Sequence, residues 1–132
     1  MKRFGLSAGE RIKSKVDFDK LYSTGKVILS GDRKIKAVYL VEENSISGNI
    51  KIAIAISSKT GKAVWRNRLK RLLRTSYRLN KERLLNLCIS KKILLKIIFS
   101  PYQFNEQNNR DVALDEVIIG TEDILMQLER RL

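Results

Sequence analysis

The segment from residue 62 to residue 78, KAVWRNRLKRLLRTSYR, constrains the fold of this chain more than any other part of the sequence. It carries seven basic side chains and no acidic one, yet Trp65, Leu69 and Leu73 recur in it at helical spacing. At about 100° per residue, its apolar side chains gather within about a third of a helical wheel, and its basic side chains gather opposite. In a disordered basic tail, the apolar and basic side chains need not separate in this way. The pattern therefore predicts a helix whose apolar face packs on a folded core.

The two faces of this predicted helix differ in chemistry. Like charges one turn apart, at Arg66, Lys70 and Arg74, repel by about 0.2–0.5 kcal/mol per pair, whereas solvated faces usually alternate in sign. An anionic ligand would remove that cost, and arginine and lysine are the usual partners of phosphate groups. We therefore expect a nucleic acid on this face rather than solvent alone. The predicted apolar face holds Trp65, Leu69, Leu72, Leu73, Ser76 and Leu79, and the predicted basic face holds Arg66, Asn67, Lys70, Arg71, Arg74 and Arg78, with Arg68 on its flank.

The charge of the whole chain supports this interpretation. Its 132 residues include 27 Lys and Arg against 14 Asp and Glu, a formal net charge of +13. This exceeds what solubility requires and indicates a polyanionic partner, either a nucleic acid or an anionic membrane surface. The excess is local, because ten bases and no acid lie between Glu43 and Glu82, whereas residues 106–132 hold seven acids and three bases.

The absence of histidine narrows the possible chemistry. It removes the usual general acid or base near neutral pH and the commonest transition-metal ligand. With a single cysteine, Cys88, the chain cannot build a four-ligand zinc site or an internal disulfide, and we expect Cys88 to be a small core residue. The acidic pairs at residues 115–116 and 122–123 lie in an amphipathic segment, and we interpret them as its solvated face. We predict no catalytic residue and no metal site in the protein.

The organisation of the chain favours one domain, residues 1–132, with residues 1–11 as a flexible start. No internal repeat, low-complexity tract or linker divides it. No apolar run of the roughly 18 residues needed to cross a membrane occurs, and no signal-peptide pattern is present. We therefore expect a cytoplasmic protein without a membrane partner.

Five further patterns predict a small α/β fold. Residues 16–22 have helical spacing, and residues 111–132 form an amphipathic stretch. Residues 35–41 and 51–57 are rich in β-branched side chains and predict two antiparallel strands, and residues 91–99 predict a third strand. The expected order is helix, strand, strand, helix, strand, helix, which is typical of an α/β sandwich of few elements.

Single residues predict where these elements end. Gly25 stands where a glycine commonly ends a helix. Ser58 or Thr60 is the expected N-cap of the basic helix. Gly120, with the threonine after it, predicts an interruption of the C-terminal helix.

Two segments carry a resemblance to a known family. Residues 57–74, SSKTGKAVWRNRLKRLLR, resemble the signature of the bacterial ribonuclease P protein family, Ser-Lys-Lys-x-Gly-x-Ala-Val-x-Arg-Asn-Arg-x-Lys-Arg-x-x-Arg. Residues 11–26 are similar to the family's N-terminal segment, in which Asp-Phe is followed by an aromatic residue and a glycine. Ser58 departs from the signature, because the family has a lysine there, and Tyr39 does not align clearly with the family's strand aromatic. The matching positions in the signature are Ser57, Lys59, Gly61, Ala63, Val64, Arg66, Asn67, Arg68, Lys70, Arg71 and Arg74.

The resemblance implies an accessory protein of an RNA enzyme that removes the 5′ leader of precursor tRNA. The expected partners are ribonuclease P RNA and precursor tRNA, with Mg²⁺ on the RNA subunit, no cofactor on the protein and no protein partner. The implied fold is an α/β (α+β) two-layer sandwich, ribosomal protein S5 domain 2-like, whose β-α-β crossover is left-handed against the usual rule. The resemblance assigns Arg66, Asn67, Arg68, Lys70, Arg71 and Arg74 to the RNA subunit, and Phe18, Tyr22 and Lys59 to the leader.

Other interpretations stay open at this level. The basic helix would equally serve a small ribosomal or RNA-chaperone protein that only binds structured RNA, and a protein-only nuclease would use carboxylates and Mg²⁺. Without the resemblance, Phe18 and Tyr22 would more simply be core residues. Lys36 and Lys51 fall on predicted strands and receive no role.

Overall fold

The computed structural model describes residues 10–43 and 46–132, so most of the segment predicted to be a flexible start lies outside the described residues. Within them the chain forms one four-stranded sheet and four α-helices, which confirms the predicted α/β (α+β) class. None of the described helices is long and apolar enough to cross a membrane. In chain order the elements are α1 (Lys15–Thr24), β1 (Lys26–Leu29), β2 (Ile35–Glu42), β3 (Asn49–Ile54), a 3-10 turn (Ser58–Thr60), α2 (Ala63–Asn80), α3 (Glu82–Lys91), β4 (Leu94–Pro101) and α4 (Leu114–Arg131).

The sheet has the strand order β1-β2-β4-β3. β2 pairs antiparallel with β1 and β4, and β3 pairs parallel with β4. The predicted antiparallel pairing of residues 35–41 with residues 51–57 is therefore wrong, because β4 lies between β2 and β3. β4 is buried at five consecutive positions, four of them apolar, and a strand that is buried on both faces is stabilised best by a central place in a sheet. The two helices α2 and α3 form the crossover that brings β4 beside β3.

Two elements were not predicted. β1 has only four residues, and its short run carries little periodicity. α3 follows α2 after the single residue Lys81, with no glycine or proline to mark the boundary. α4 also differs from the prediction, because it is continuous through Gly120. That residue is buried, and a Cβ there would lie 2.9 Å from Ile35 Cγ1, so the glycine lets the helix approach the sheet closely.

The sheet separates two clusters of buried side chains, as the alternation along a strand requires. On one face, β2 residues such as Ala37 and Tyr39 pack with the layer formed by α2, α3 and α4. On the other face, Val38 of β2 and Ile98 of β4 pack with Leu21 of α1. The two predicted layers are thus the sheet and the three-helix layer, and the short α1 crosses the opposite face.

Gly25 ends α1 as predicted, but for a different reason. Its N–H donates to the Leu21 carbonyl oxygen at 2.8 Å, and its φ of −70° is accessible to any residue. A Cβ at this position would clash with the Leu21 carbonyl oxygen and lie 2.8 Å from Val38 Cγ1. The glycine is therefore required by the close contact between the end of α1 and β2.

Gly25→Ala is expected to lower the free energy of unfolding by about 1–3 kcal/mol, because the added methyl group forces α1 away from the sheet. Urea unfolding of the purified protein measures this value. Gly31→Ala is the matched control, because a Cβ there would meet only Asp123 Oδ2 at 3.6 Å. Equal stability of the two variants would contradict the close-contact explanation.

Candidate nucleic-acid interface

The basic helix α2 packs on the sheet through the face that the sequence predicted. Trp65, Leu69, Leu73 and Ser76 are buried, which confirms most of the predicted apolar face. Leu79 is 65% exposed, so its placement on that face was wrong. Tyr77 is buried in its stead, and its ring centroid lies 6.1 Å from that of Phe99 on β4. The buried stripe is thus rotated toward Tyr77, because this large ring fills the space over β4.

The N-terminus of α2 is held by a residue 44 positions away. Lys62 occupies the N-cap position without a side-chain cap, so the prediction of Ser58 or Thr60 was wrong. Glu106 Oε1 accepts a hydrogen bond from the Lys62 N–H at 2.8 Å, and the Glu106 N–H donates to the Thr60 carbonyl oxygen at 2.8 Å. This carboxylate supplies an acceptor at the positive end of the helix and ties the start of α2 to the loop before α4.

The basic side chains of α2 fall into three groups. Arg66 and Arg68 are each held by the backbone, since Arg66 Nε donates to the Gly61 carbonyl oxygen at 3.0 Å and Arg68 Nε donates to the Val112 carbonyl oxygen at 2.9 Å. Asn67 and Arg71 are exposed to solvent on α2. Lys70 and Arg74 are half-buried and face the edge of the sheet. The six residues assigned to the RNA subunit therefore share one helix but not one direction.

Two cavities lie along α1, one beside β3 and the next beside the segment that follows β3, and together they are called the cleft. Phe18 and Tyr22, one helical turn apart on α1, line successive parts of it. Phe18 is half-buried and packs against the cluster that contains Leu21, while Tyr22 is 57% exposed. Ala53 lines the part beside Phe18 together with Ile52 and Ile54, and Ala55 lines the part beside Tyr22 together with Ile56.

Lysines lie at the end of the cleft that Tyr22 lines. Lys59 is exposed in the 3-10 turn, whose neighbour Thr60 lines this part of the cleft. Lys36 lines it directly and was missed by the sequence analysis. Strand alternation could have found it, because Ala37 lies in the core on the opposite face of the sheet. Tyr39 also faces that core, where its hydroxyl accepts from Arg131 Nη1 at 3.4 Å.

A buried cation anchors α1 to the sheet. Lys96 of β4 is 6% exposed, and its Nζ lies 2.8 Å from Asp17 Oδ1 and 3.2 Å from Glu42 Oε2. Burial alone would lower the pKa of Lys96, but the hydrogen bonds and charges of Asp17 and Glu42 outweigh it and raise the pKa above its usual value. The ion pair fixes Asp17, and therefore the adjacent Phe18, over the sheet.

Lys96→Met is expected to lower the free energy of unfolding by about 1–3 kcal/mol, since two partly buried carboxylates lose their partner. Because the pKa of Lys96 is higher in the folded than in the unfolded state, its stabilisation is complete below about pH 10.4 and declines as the pH rises through the folded-state value. Urea titrations from pH 7 to 11 should therefore show the wild type approaching the variant at the alkaline end. Lys13→Met, which removes an exposed lysine, is the control. A gap that is constant across this range would contradict the assignment.

Two further carboxylates and the single cysteine hold structural positions. Asp123 Oδ2 accepts from the Gly31 N–H at 2.7 Å, and Glu116 Oε2 lies 3.8 Å from Lys34 Nζ. Cys88 is fully buried, as expected, and burial raises the pKa of its thiol to about 11. Across residues 10–43 and 46–132, no group of three or more His, Cys, Asp or Glu side chains is placed to hold a metal ion.

Comparisons with known proteins agree with this architecture. The family model described as Ribonuclease P matches residues 6–115. The Ribonuclease P protein component of Clostridium novyi is 33% identical over 75 residues, which are 57% of this chain and 64% of that relative, so the match spans less than two thirds of its length. The Staphylococcus aureus RNase P protein structure superposes with a TM-score of 0.66 at 22% identity, covering 92% of this chain and 95% of that one. The Thermotoga maritima RNase P protein gives a TM-score of 0.66 at 25% identity, with 92% and 96% covered.

Proposed function

Because this chain belongs to the ribonuclease P protein family, we propose that it is the protein component of a ribonuclease P that removes the 5′ leader of precursor tRNA together with a catalytic RNA. The observation that carries the proposal is the presence, on one scaffold, of a rigid basic helix and a separate aromatic cleft. A protein that only coats structured RNA needs the helix but not the cleft. In this proposal the complex works in the cytoplasm.

The RNA subunit is proposed to bind the outer side of α2. The guanidinium groups of Arg66 and Arg68 are oriented by backbone carbonyl groups, so they lose little side-chain entropy on binding. Asn67 and Arg71 are exposed between and beyond them. An array of arginines on a helix suits phosphate contacts in a folded RNA better than base reading.

The single-stranded leader is proposed to occupy the cleft. Unpaired bases stack on aromatic rings, with about 1–3 kcal/mol per base, and the exposed ring of Tyr22 is available for this on the cleft wall. Phe18 offers an edge of its half-buried ring one turn away. Lys59 and Lys36 supply positive charge for the phosphates.

In this proposal the protein contributes binding and orientation, and Mg²⁺ held by the RNA subunit supplies the chemistry of hydrolysis. This division is in keeping with three of the described carboxylates, because Asp17, Glu42 and Asp123 are engaged in contacts that hold helices to the sheet or its turns.

Cleavage of a 5′-labelled precursor tRNA at low Mg²⁺ tests the proposal. Three reactions are compared: this protein alone, a bacterial ribonuclease P RNA alone, and the two together. The proposal predicts cleavage at the mature 5′ end only in the mixture. Cleavage by the protein alone would indicate a protein nuclease, and failure to activate the RNA at any protein concentration would favour an RNA chaperone.

Arg71→Ala is expected to weaken binding to ribonuclease P RNA by about three- to tenfold and to reduce the log-log salt slope by about one unit, as for the loss of one phosphate contact. Arg71 is preferred to Arg66 and Arg68 because removal of those two would also break hydrogen bonds within the protein. Filter binding at several salt concentrations measures both values. Lys91→Ala, which removes an exposed base on α3, should leave them unchanged, and an equal effect of the two variants would show that only overall charge matters.

Tyr22→Ala is expected to weaken binding of precursor tRNA to the assembled complex by about fivefold to a hundredfold, as for the loss of one stacked base, without changing the affinity for mature tRNA. Val16→Ala is the control, because Val16 is an exposed α1 residue that does not line the cleft. Equal losses for the precursor and mature tRNA would place Tyr22 outside the leader site.

A further inference from the structure

The first arginine of α2 takes its direction from a single peptide group. Arg66 Nε donates to the Gly61 carbonyl oxygen at 3.0 Å, and this carbonyl belongs to the same planar peptide as the Lys62 N–H. The Lys62 N–H donates in turn to Glu106 Oε1 at 2.8 Å. One peptide plane therefore joins the carboxylate of Glu106 to the guanidinium group of Arg66.

Glu106 contacts the backbone on both sides of Gly61. Its N–H donates to the Thr60 carbonyl oxygen at 2.8 Å, while its side chain accepts from the Lys62 N–H. A Cβ at Gly61 would lie 2.8 Å from Glu106 Cβ and 3.0 Å from Trp65 Cε3. The φ of Gly61 is 168°, which any residue adopts, so the glycine is required by this close approach and not by its backbone conformation.

Glu106 acts on Arg66 through this peptide and not through a direct ion pair. Among the ion pairs formed within residues 10–43 and 46–132, none includes Glu106 or Arg66. The first turn of α2 contains no acidic residue and has no side-chain cap, so Glu106 supplies an acceptor that the helix itself lacks. A guanidinium group that is fixed before binding loses less entropy when it contacts RNA.

We propose that Glu106 is a positioning residue for the contact between α2 and the RNA subunit, because its carboxylate fixes the peptide that orients Arg66. The inference rests on the proposed function and deepens it by adding a residue of negative charge, which cannot itself bind a phosphate. By charge alone, removal of an acid beside a polyanion should strengthen binding. Positioning predicts the opposite sign when the acceptor oxygen is lost.

Glu106→Ala and Glu106→Gln form a matched pair, because both remove the charge and only glutamine keeps an oxygen that can accept from the Lys62 N–H. Filter binding to ribonuclease P RNA measures their affinities, at a temperature at which urea unfolding shows each variant to be folded. Glu106→Ala should bind the RNA about threefold to tenfold more weakly than wild type, as for the loss of one oriented contact. Glu106→Gln should bind it at least as tightly as wild type, to within about twofold.

A double-mutant cycle separates positioning from a general loss of structure. In an Arg66→Ala background, Glu106→Ala should change the affinity by less than about twofold, because the side chain that Glu106 orients is absent. In an Arg71→Ala background it should keep its full effect, because Arg71 is exposed to solvent farther along α2. A general loss of structure would weaken binding equally in both backgrounds.

The inference is overturned if Glu106→Ala binds as tightly as wild type, if Glu106→Gln loses as much affinity as Glu106→Ala, or if the two backgrounds give equal effects. In each of these cases the proposed function stands, provided that the wild-type protein activates cleavage of precursor tRNA by the RNA subunit. If the wild-type protein does not activate the RNA, the proposed function fails, and the inference fails with it.

Discussion

The packing of α2 into the core that it shares with α4 and the sheet is the interaction on which the rest of the structure depends. Burial of a large apolar side chain contributes about 1.5–3 kcal/mol, and α2 buries Trp65, Leu69, Leu73 and Tyr77. The like charges one turn apart on the same helix cost only about 0.2–0.5 kcal/mol per pair. Burial therefore outweighs repulsion by a wide margin, and a dense array of positive charge can be carried on a rigid support. Glu106 adds to this rigidity by holding the first turn.

The cleft depends on a second constraint, which is the anchoring of α1 across the other face of the sheet. Lys96 is buried beneath α1 and forms an ion pair with Asp17, and Gly25 lets the end of the helix contact β2 closely. These contacts set the position of Phe18 and Tyr22 relative to β3. Asp17 and Glu42 both pair with Lys96, so this ion pair holds α1 in place over the sheet and thereby shapes the cleft.

Local patterns predicted much of this fold, and tertiary contacts account for the rest. The amphipathic period of α2 is strong because seven bases and a continuous apolar stripe lie within one segment. The partner of β3 could not be predicted in this way, since strand pairing depends on how the crossover of α2 and α3 returns the chain. The capping of Lys62 by Glu106 is likewise a contact across 44 positions.

The candidate site was likewise predicted in part, and its remaining features depend on tertiary contacts. Phe18 and Tyr22 were assigned by the family resemblance, and the basic face was predicted from helical spacing. The convergence of Arg11 with Arg74 at the cavity beside Phe18 was not predicted, because it requires residues 11–12 to lie along the edge of β3, where the Ile12 N–H donates to the Ile52 carbonyl oxygen at 3.0 Å. Strand alternation would have put Lys36 on the face of the sheet opposite Ala37, but it could not show that this face is open to solvent.

The most direct test of the account is to identify which RNA contacts each surface by site-specific cross-linking. Arg71→Cys and Tyr22→Cys variants would carry a photoreactive group, and the buried Cys88, whose thiol pKa is raised to about 11, should stay unmodified in the folded protein. The account predicts that position 71 cross-links to ribonuclease P RNA and position 22 to the 5′ leader of bound precursor tRNA. Cross-links from both positions to the RNA subunit alone would contradict it.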